Sequence, residues 1–335
     1  MEKYTREQTG SMSKIKAMFF YMVIFGSLSF TILTTILGLA YKPHQNVYLY
    51  YNFGVAAVAY LYVLFKMLNK RINPIITFFP IIFALTYLIS NSFFDNNSSL
   101  ARNFCGYFLI WSAPAYLLGV TLDKREDLLL IYKYADIFML TITLVVFINA
   151  LYYLKNGRSS FSVSGTTTYQ TMSYLSALAF GLNYYLLVFG ENEYRFKIFQ
   201  GKFYMWLCLL LIVIQYISLI VTGGRGGLFL SVIFLIYTTF SNAFGKAVWI
   251  KWVVCVCCVL FVVLSLSSTN QAINEGLNRI FSFIGDRGVD WSGTSGRDEV
   301  YGKALDLIGQ NPVSGYGVWG MFKYIQNPHN FFLEL

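Results

Sequence analysis

Two polar islands in an otherwise apolar chain carry the residue types that could do chemistry. The first spans residues 222–227, reads Thr-Gly-Gly-Arg-Gly-Gly and contains Arg225. The second spans residues 294–330 and contains Arg297 together with His329, one of only two histidines in the chain. A guanidinium group binds two phosphate oxygens at once and stays charged, and a histidine can accept a proton near neutral pH. These residues predict a membrane enzyme that handles a large anionic substrate.

Glycines and polar or aromatic residues surround these charged groups. Gly224 and Gly226 flank the first arginine, and glycine lets the backbone approach a bulky headgroup closely. Tyr316 could stack on a sugar face. Asn330 could orient the neighbouring histidine or bind sugar itself. We expect these four residues to contribute to substrate binding.

Each candidate also has a purely structural explanation. Arg225 could be a snorkelling side chain in a helix–helix turn, and Arg297 could be a solvated residue in a first helical turn. His329 could be a structural hydrogen-bonding group, and Tyr316 could anchor the chain at the membrane interface. An arginine at a helix N-terminus gains nothing from the helix dipole, which favours a functional role for the second arginine.

The composition is that of a membrane protein. Hydrophobic residues make up 56% of the chain and charged residues 12%, against roughly 45–50% and about 25% in soluble domains. A net charge of +9 could suggest nucleic acid. In a membrane protein, however, such charge gathers in cytoplasmic loops that face anionic lipid. We therefore expect the lipid bilayer, and no nucleic acid, among the partners.

The cysteines do not suggest a metal site. All five lie inside apolar runs, and Cys255 and Cys258 share a helix face. No histidine or carboxylate lies near that pair in the sequence, so small core residues are the better interpretation. We expect no metal and no cofactor.

Nine apolar windows approach or reach the length of about 17–25 residues that a membrane-spanning helix needs. They cover residues 17–39, 47–68, 75–89, 104–122, 131–154, 169–189, 203–221, 228–240 and 248–266. The third and eighth windows are short and could be tilted or partly buried. Together the windows predict an all-α, polytopic membrane bundle over residues 1–266, in which the first window is one retained helix.

The distribution of Lys and Arg predicts the orientation. With the N-terminus inside, the cytoplasmic segments carry about three times as many Lys and Arg as the short outer loops. This bias places Arg225 and residues 267–330 on the outer face. Asp136 then lies one turn inside the fifth window, near its cytoplasmic end, and we expect it to pair with Lys133 at i, i+3.

The long loop over residues 267–330 predicts two amphipathic helices. Apolar residues recur at helical spacing in the first, at positions 273, 277, 280, 281 and 284. The second begins after Ser295, whose hydroxyl can cap it, and ends near Asn311; its apolar stripe consists of Val300, Ala304, Leu305 and Ile308. Residues 331–335 look like the start of a tenth helix, so we expect a C-terminally truncated product.

The order of these motifs resembles the bacterial O-antigen ligase and O-antigen polymerase superfamily. Residues 222–227 resemble the Arg-Gly motif of that family, although Gly224 stands where many members carry Ser. A further set of motifs in this chain resembles the outer loop of that family in order and spacing. These motifs are Ser295-Gly296-Arg297, Tyr301, Asn311-Pro312, Gly315-x-Gly317 and Pro328-His329-Asn330. The resemblance covers about residues 205–335, whereas residues 1–200 share only multi-helix hydropathy.

The resemblance implies an architecture similar to type-C glycosyltransferases, located in the bacterial inner membrane. It implies metal-independent transfer of a glycan from an undecaprenyl-pyrophosphate carrier to an acceptor hydroxyl, with other polysaccharide-assembly proteins as further partners. Arg225 and Arg297 would stabilise the leaving pyrophosphate, and His329 would act as the general base. These three residues are therefore the expected catalytic set.

Two alternatives remain at this stage. In a surface-polysaccharide polymerase, which is the interpretation that we favour, the acceptor is another carrier-linked repeat unit. In a ligase, the acceptor is lipid A core or a protein side chain. An alternative of another class is a lipid-linked oligosaccharide flippase. It would show charged residues at mid-membrane and paired broken helices, and the sequence shows neither.

Overall fold

The structure is built from α-helices. A computed structural model gives the structure of residues 2–38, 45–69, 74–94, 99–122, 125–156, 168–190, 192–240, 271–281, 284–285, 288–289, 297–312, 316 and 324. In chain order the α-helices in these residues are α1 (Glu2–Phe25), α2 (Ser27–Leu37), α3 (Gln45–Leu68), α4 (Pro74–Phe94), α5 (Ser99–Tyr107), α6 (Ala113–Thr121), α7 (Arg125–Asn156), α8 (Tyr169–Val188), α9 (Lys202–Thr222), α10 (Arg225–Phe240), α11 (Gln271–Phe281) and α12 (Arg297–Gln310). The predicted all-α class is confirmed for this part of the chain.

Short elements complete the description. A π-helix (Phe108–Ser112) joins α5 to α6, and two 3₁₀ turns (Asn192–Tyr194 and Lys197–Phe199) precede α9. Strands β1 (Ile284–Gly285) and β2 (Gly288–Val289) pair antiparallel, with Ile284 opposite Val289. The helices α11 and α12 correspond to the two that the sequence predicts after the ninth apolar window.

Three helical stretches in the described residues are long and apolar enough to cross a membrane: Asn46–Leu68, Arg125–Asn156 and Lys202–Thr222. Shorter apolar stretches cover Thr77–Ser90, Cys105–Thr121 and Arg225–Tyr237. The predicted ninth window (248–266) and the predicted start of a tenth helix (331–335) lie outside the described residues. The structure therefore supports a helical membrane protein, and the count of nine spans stays a prediction.

The first apolar window is not one continuous helix. Gly26 has a positive φ of 47° and separates α1 from α2. Residues with side chains rarely adopt this left-handed conformation, whereas glycine does so readily. The prediction of a single helix over residues 17–39 was therefore wrong. The two stretches Lys14–Phe25 and Leu28–Leu37 form either a broken span or a re-entrant loop.

The chain divides into two compact units. The first contains Met1–Tyr21, Ser27–Leu49 and Lys124–Phe281, and the second contains Met22–Gly26, Tyr50–Asp123 and Ser282–Leu335. One core of the first unit is formed largely by α7, α8 and α9; its buried side chains include Tyr153, Phe180, Tyr184, Ile212 and Leu219. These three helices form the frame on which the site described below is built.

Hydrogen bonds in the second unit stabilise its π-helix. Pro114 lies in the first turn of α6 and lacks the N–H that a continuous helix would use. The Tyr60 hydroxyl donates to the carbonyl oxygen of Leu109 at 2.6 Å, and Trp111 Nε1 donates to Asn52 Oδ1 at 3.2 Å. The π-helix is thereby tied to α3, which supplies both partners.

Small residues bring α8 and α10 close together. Ser173, Ala177 and Gly181 recur every four residues along α8 and are buried. A methyl group on Gly181 would lie 2.5 Å from ring atoms of Phe234 in α10. Small residues at this spacing let helix backbones approach closely in a membrane.

A chain of polar side chains joins α7, α8 and α9 at mid-length. Asn183 Nδ2 donates to Gln215 Oε1 at 3.2 Å and to the carbonyl oxygen of Cys208 at 2.9 Å. Gln215 Nε2 in turn donates to Thr143 Oγ1 at 2.7 Å. These side chains are buried. Because each bond requires a specific alignment of donor and acceptor, the chain sets the relative register of the three helices.

The buried carboxylate Asp136 pairs with an arginine from the loop that follows α8. Arg195 Nε donates to Asp136 Oδ2 at 2.9 Å, and its Nη2 donates to Oδ1 at 2.5 Å. The Tyr204 hydroxyl also donates to Oδ1, at 2.8 Å. Burial acts to lower the pKa of Arg195, but the hydrogen bond to Asp136 and its negative charge outweigh burial, so the pKa is raised.

The predicted pairing of Asp136 with Lys133 was therefore wrong. The Lys133 ammonium instead lies over the ring of Phe196, 5.0 Å from its centroid. The guanidinium of Arg195 is the better partner because its planar fork reaches both carboxylate oxygens at once. A rule based on i, i+3 spacing considers only the residues of one helix, and Arg195 is 59 residues away.

Removing one partner of this ion pair should destabilise the protein strongly. We expect Asp136→Ala or Arg195→Ala to lower the free energy of unfolding by about 3–5 kcal/mol, because the remaining charge would be buried without compensation. Denaturant unfolding of the purified full chain in detergent, followed by circular dichroism, measures this change.

The matched control is the exposed i, i+4 pair formed by Lys303 and Glu299, whose Nζ–Oε1 distance is 2.7 Å. Glu299→Ala should cost no more than about 0.5 kcal/mol, because solvent screens exposed pairs. Equal and small changes for the Asp136 and Glu299 variants would contradict the structural role of the buried pair.

Candidate functional site

The turn between α9 and α10 places Arg225 at the start of a helix. Gly223 ends α9 in the left-handed conformation, with φ of 65°, and its N–H donates to the carbonyl oxygen of Leu219 at 3.1 Å. This arrangement is a common helix C-cap that favours glycine. Only Gly223 and Gly224 separate the two helices, so Arg225 is the first residue of α10.

The electrostatics of this turn are positive. The backbone N–H groups in the first turn of a helix carry the positive end of its dipole. No acidic residue lies in the first turn of α10, and Arg225, which is partly buried, adds a full positive charge. The arrangement is chemically suited to an anionic group such as a phosphate.

Three glycines let the first turn of α10 pack directly against α8. A methyl group on Gly224 would lie 2.4 Å from Ser173 Cβ, and one on Gly227 would lie 2.2 Å from Ser173 Oγ. A methyl group on Gly226 would lie 2.0 Å from the hydroxyl of Tyr174. Packing thus favours glycine most strongly at positions 224 and 227, where the neighbour is buried Ser173, whereas at position 226 the exposed Tyr174 ring can shift. The predicted role of Gly224 and Gly226 in substrate binding stays a prediction.

Helix α11 packs against the end of α9, just before the turn. Ile273 is buried in the same core as α9, and Leu277 packs against that core. A methyl group on Gly276 would lie 2.2 Å from the carbonyl oxygen of Ile220. A helix lies where the sequence predicts the first amphipathic helix, but it ends at Phe281, and Ile284 of the predicted stripe belongs to β1. The helix contacts α9 at Ile220, three residues before Gly223 in the turn that precedes Arg225.

The other predicted site residues lie in the second unit or outside the described residues. Arg297 is the first residue of α12. The Tyr316 hydroxyl donates to Gln310 Oε1 at 3.2 Å, and its ring lies 5.1 Å from that of Tyr324. His329 and Asn330 lie outside the described residues. The meeting of these residues with Arg225 in one site stays a prediction.

The start of α12 agrees with the prediction of a helix that begins after Ser295. The helix begins at Arg297, and the predicted cap Ser295 lies outside the described residues. Ala304 is buried, whereas Leu305 and Ile308 are exposed. The predicted apolar stripe is therefore only partly covered by protein.

Metal ligands are not grouped in the described residues. Among them, no three His, Cys, Asp or Glu side chains lie close enough together to hold a metal ion. The charged group at the candidate site is the guanidinium of Arg225.

Sequence reasoning missed the contributions of Ser173, Tyr174 and Gly276. No motif marks them, because each acts by being close to a residue that is distant in sequence. The available signal was the spacing of Ser173, Ala177 and Gly181, which identifies α8 as a close-packing helix.

Enlarging Gly276 should displace α11. We expect Gly276→Ala to lower the free energy of unfolding by about 1–3 kcal/mol, because the methyl group would collide with backbone. It should also speed the labelling of Ile273→Cys by a soluble thiol reagent, since that position would become exposed.

The matched control is Gly302→Ala in α12, where nothing lies within 4 Å of the added methyl group. It should leave the labelling rate unchanged and should raise the free energy of unfolding by about 0.5–1 kcal/mol, because alanine is the better helix former. Labelling that rises equally in the two variants would show that α11 is not held by the contact at Gly276.

Comparison with known protein families matches residues 206–335 to the O-antigen ligase family. This segment contains most of α9, both arginines and the helices α11 and α12, so the resemblance predicted from the sequence motifs is confirmed. Neither the curated proteins nor the solved structures gave a significant match to the chain.

Proposed function

We propose that this chain, a member of the O-antigen ligase superfamily through residues 206–335, is a membrane glycosyltransferase of surface-polysaccharide assembly. It transfers a glycan from an undecaprenyl-pyrophosphate donor to an acceptor hydroxyl, without metal or nucleotide sugar. Residues 1–266 form the transmembrane bundle, similar to type-C glycosyltransferases, and residues 267–330 form a loop on the outer face of the bacterial inner membrane.

The position of Arg225 at the start of α10 is the observation that supports this proposal. A pyrophosphate leaving group gains negative charge as the glycosidic bond breaks. A partly buried guanidinium at the positive end of a helix dipole stabilises that charge. The packing of the turn against α8 holds the group in place before the reaction, which lowers the cost of reorganisation.

The remaining roles are assigned from the sequence. Arg297 supplies a second guanidinium for the pyrophosphate, and His329 accepts the proton of the attacking hydroxyl. Asn330 orients the histidine or binds sugar, and Tyr316 stacks on a sugar face.

Of the two possible transfer reactions we favour that of a polymerase, in which the acceptor is a second carrier-linked repeat unit. A ligase would use the same donor chemistry with lipid A core or a protein as acceptor. A flippase would require broken helices in matching pairs. Within the described residues one helix is broken in this way, at Gly26, and no second broken helix forms a pair with it. The described residues therefore do not support a flippase.

Replacement of Arg225 tests the proposal. We expect Arg225→Ala to reduce the rate of glycan transfer by about 10²–10³-fold, the usual effect of removing one group that stabilises developing charge. Arg225→Lys should restore little activity, because an ammonium group lacks the bidentate geometry of guanidinium. Transfer is measured in proteoliposomes with a lipid-linked glycan donor and the full-length protein; Arg297→Ala should behave as Arg225→Ala does.

The control for this experiment is Arg125→Ala. Arg125 is also the first residue of a long helix, α7, and its Nη2 donates to the Tyr194 hydroxyl at 3.2 Å. It lies at the opposite end of the bundle in the proposed topology, so its removal should leave the rate within about twofold. Full activity in the Arg225 variant would refute the pyrophosphate role.

Replacement of His329 tests the general base. We expect His329→Ala to slow transfer by about 10²–10⁴-fold while donor binding is retained. His329→Gln should be almost as slow, because an amide cannot accept the proton. The wild-type rate should rise with pH near the usual pKa of a histidine, about 6.5, since a base must be deprotonated to act. Activity restored by Gln would assign the residue to positioning.

A further inference from the structure

We propose that Ser173 is a positioning residue for Arg225. The proposal rests on the role given to Arg225 under the proposed function. It adds a contribution from α8, which precedes residue 206 and therefore lies outside the segment that matches the family.

The hydroxyl of Ser173 bonds to the turn that carries the arginine. Ser173 is fully buried, and its Oγ donates to the carbonyl oxygen of Gly224 at 2.9 Å across 51 residues of sequence. The same carbonyl oxygen accepts the N–H of Leu228 at 3.3 Å, which is a backbone bond of the first turn of α10. Both lone pairs of this oxygen are therefore used.

Peptide geometry carries this contact to Arg225. The carbonyl of Gly224 and the N–H of Arg225 belong to one peptide group, which is planar. When the hydrogen bond from Ser173 orients that carbonyl, it also orients the backbone N–H of Arg225. The direction in which the Arg225 side chain leaves the backbone follows from this plane and from the helical conformation that begins there.

Steric contacts reinforce the hydrogen bond. Ser173 contacts two glycines: Gly224 in the turn and Gly227 in the first helical turn of α10. A methyl group on the first would lie 2.4 Å from Ser173 Cβ, and a methyl group on the second would lie 2.6 Å from the Ser173 carbonyl oxygen. The turn thus has little room to shift or rotate against α8.

A second serine of α8 provides a matched comparison. Ser176 is as fully buried as Ser173. Its Oγ donates to the carbonyl oxygen of Met172 at 2.9 Å, within its own helix. The two serines therefore differ in whether the hydroxyl reaches the turn, while residue type, helix and burial are the same.

The test compares Ser173→Ala with Ser176→Ala in the full-length protein. We expect Ser173→Ala to lower kcat for glycan transfer about tenfold, in line with the loss of one buried hydrogen bond, and to leave KM within about twofold. Ser176→Ala should leave both constants within about twofold. The Tm of each variant is measured alongside, and a fall of kcat that simply followed Tm in both variants would overturn the proposal.

A double variant shows whether Ser173 acts through the arginine. In an Arg225→Ala background, Ser173→Ala should slow the residual rate by less than twofold, because the group that it positions is gone. A further tenfold loss there would overturn the proposal.

Thiol labelling separates this proposal from the proposed function. The rate at which a soluble thiol reagent modifies Arg225→Cys is measured by mass spectrometry of the labelled peptide. Ser173→Ala should change that rate at least threefold, and Ser176→Ala should not. Equal labelling in both would overturn the positioning role, whether or not the protein transfers glycan. A wild-type protein that transfers no glycan would overturn the proposed function, while labelling would still decide the role of Ser173.

Discussion

At Gly224 and Gly227 the backbone of α10 lies so close to α8 that an added methyl group would collide with Ser173. Helices in a membrane gain little from burying apolar surface against one another, because lipid is equally apolar. Close packing and interhelical hydrogen bonds must then hold them together. Here both act at one place, and that place is the turn that carries Arg225. The geometry of the candidate site therefore depends on having glycine, which has no side chain, at these two positions.

Polar contacts occur at three levels along the bundle of α7, α8 and α9. An ion pair between Asp136 and Arg195 lies at one end, and an amide chain through Gln215 lies at mid-length. The hydroxyl of Ser173 contacts the turn at the other end. Each of these contacts restricts how α9 can slide along α7 and α8. Together they fix the position of Gly223, where α9 ends, relative to the other two helices.

Much of the helical framework could be predicted from the sequence, because apolar windows and helical periodicity reflect the bilayer and the core directly. The family resemblance could also be predicted, since it depends on the order of short motifs around Arg225 and Arg297. Contacts between distant residues could not be predicted. The partner of Asp136 lies 59 residues away, the bend at Gly26 leaves no mark on hydropathy, and no sequence signal links Ser173 to Gly224.

The contact between positions 173 and 224 also restricts which substitutions this chain can accept. The two positions share the space of a single small side chain, so a volume gained at one must be lost at the other. A serine at position 224 of this chain would fit only with a smaller residue at position 173, or with a wider spacing of the two helices. The hydroxyl beside the arginine would then come from the turn instead of from α8, so the two positions can be exchanged only together.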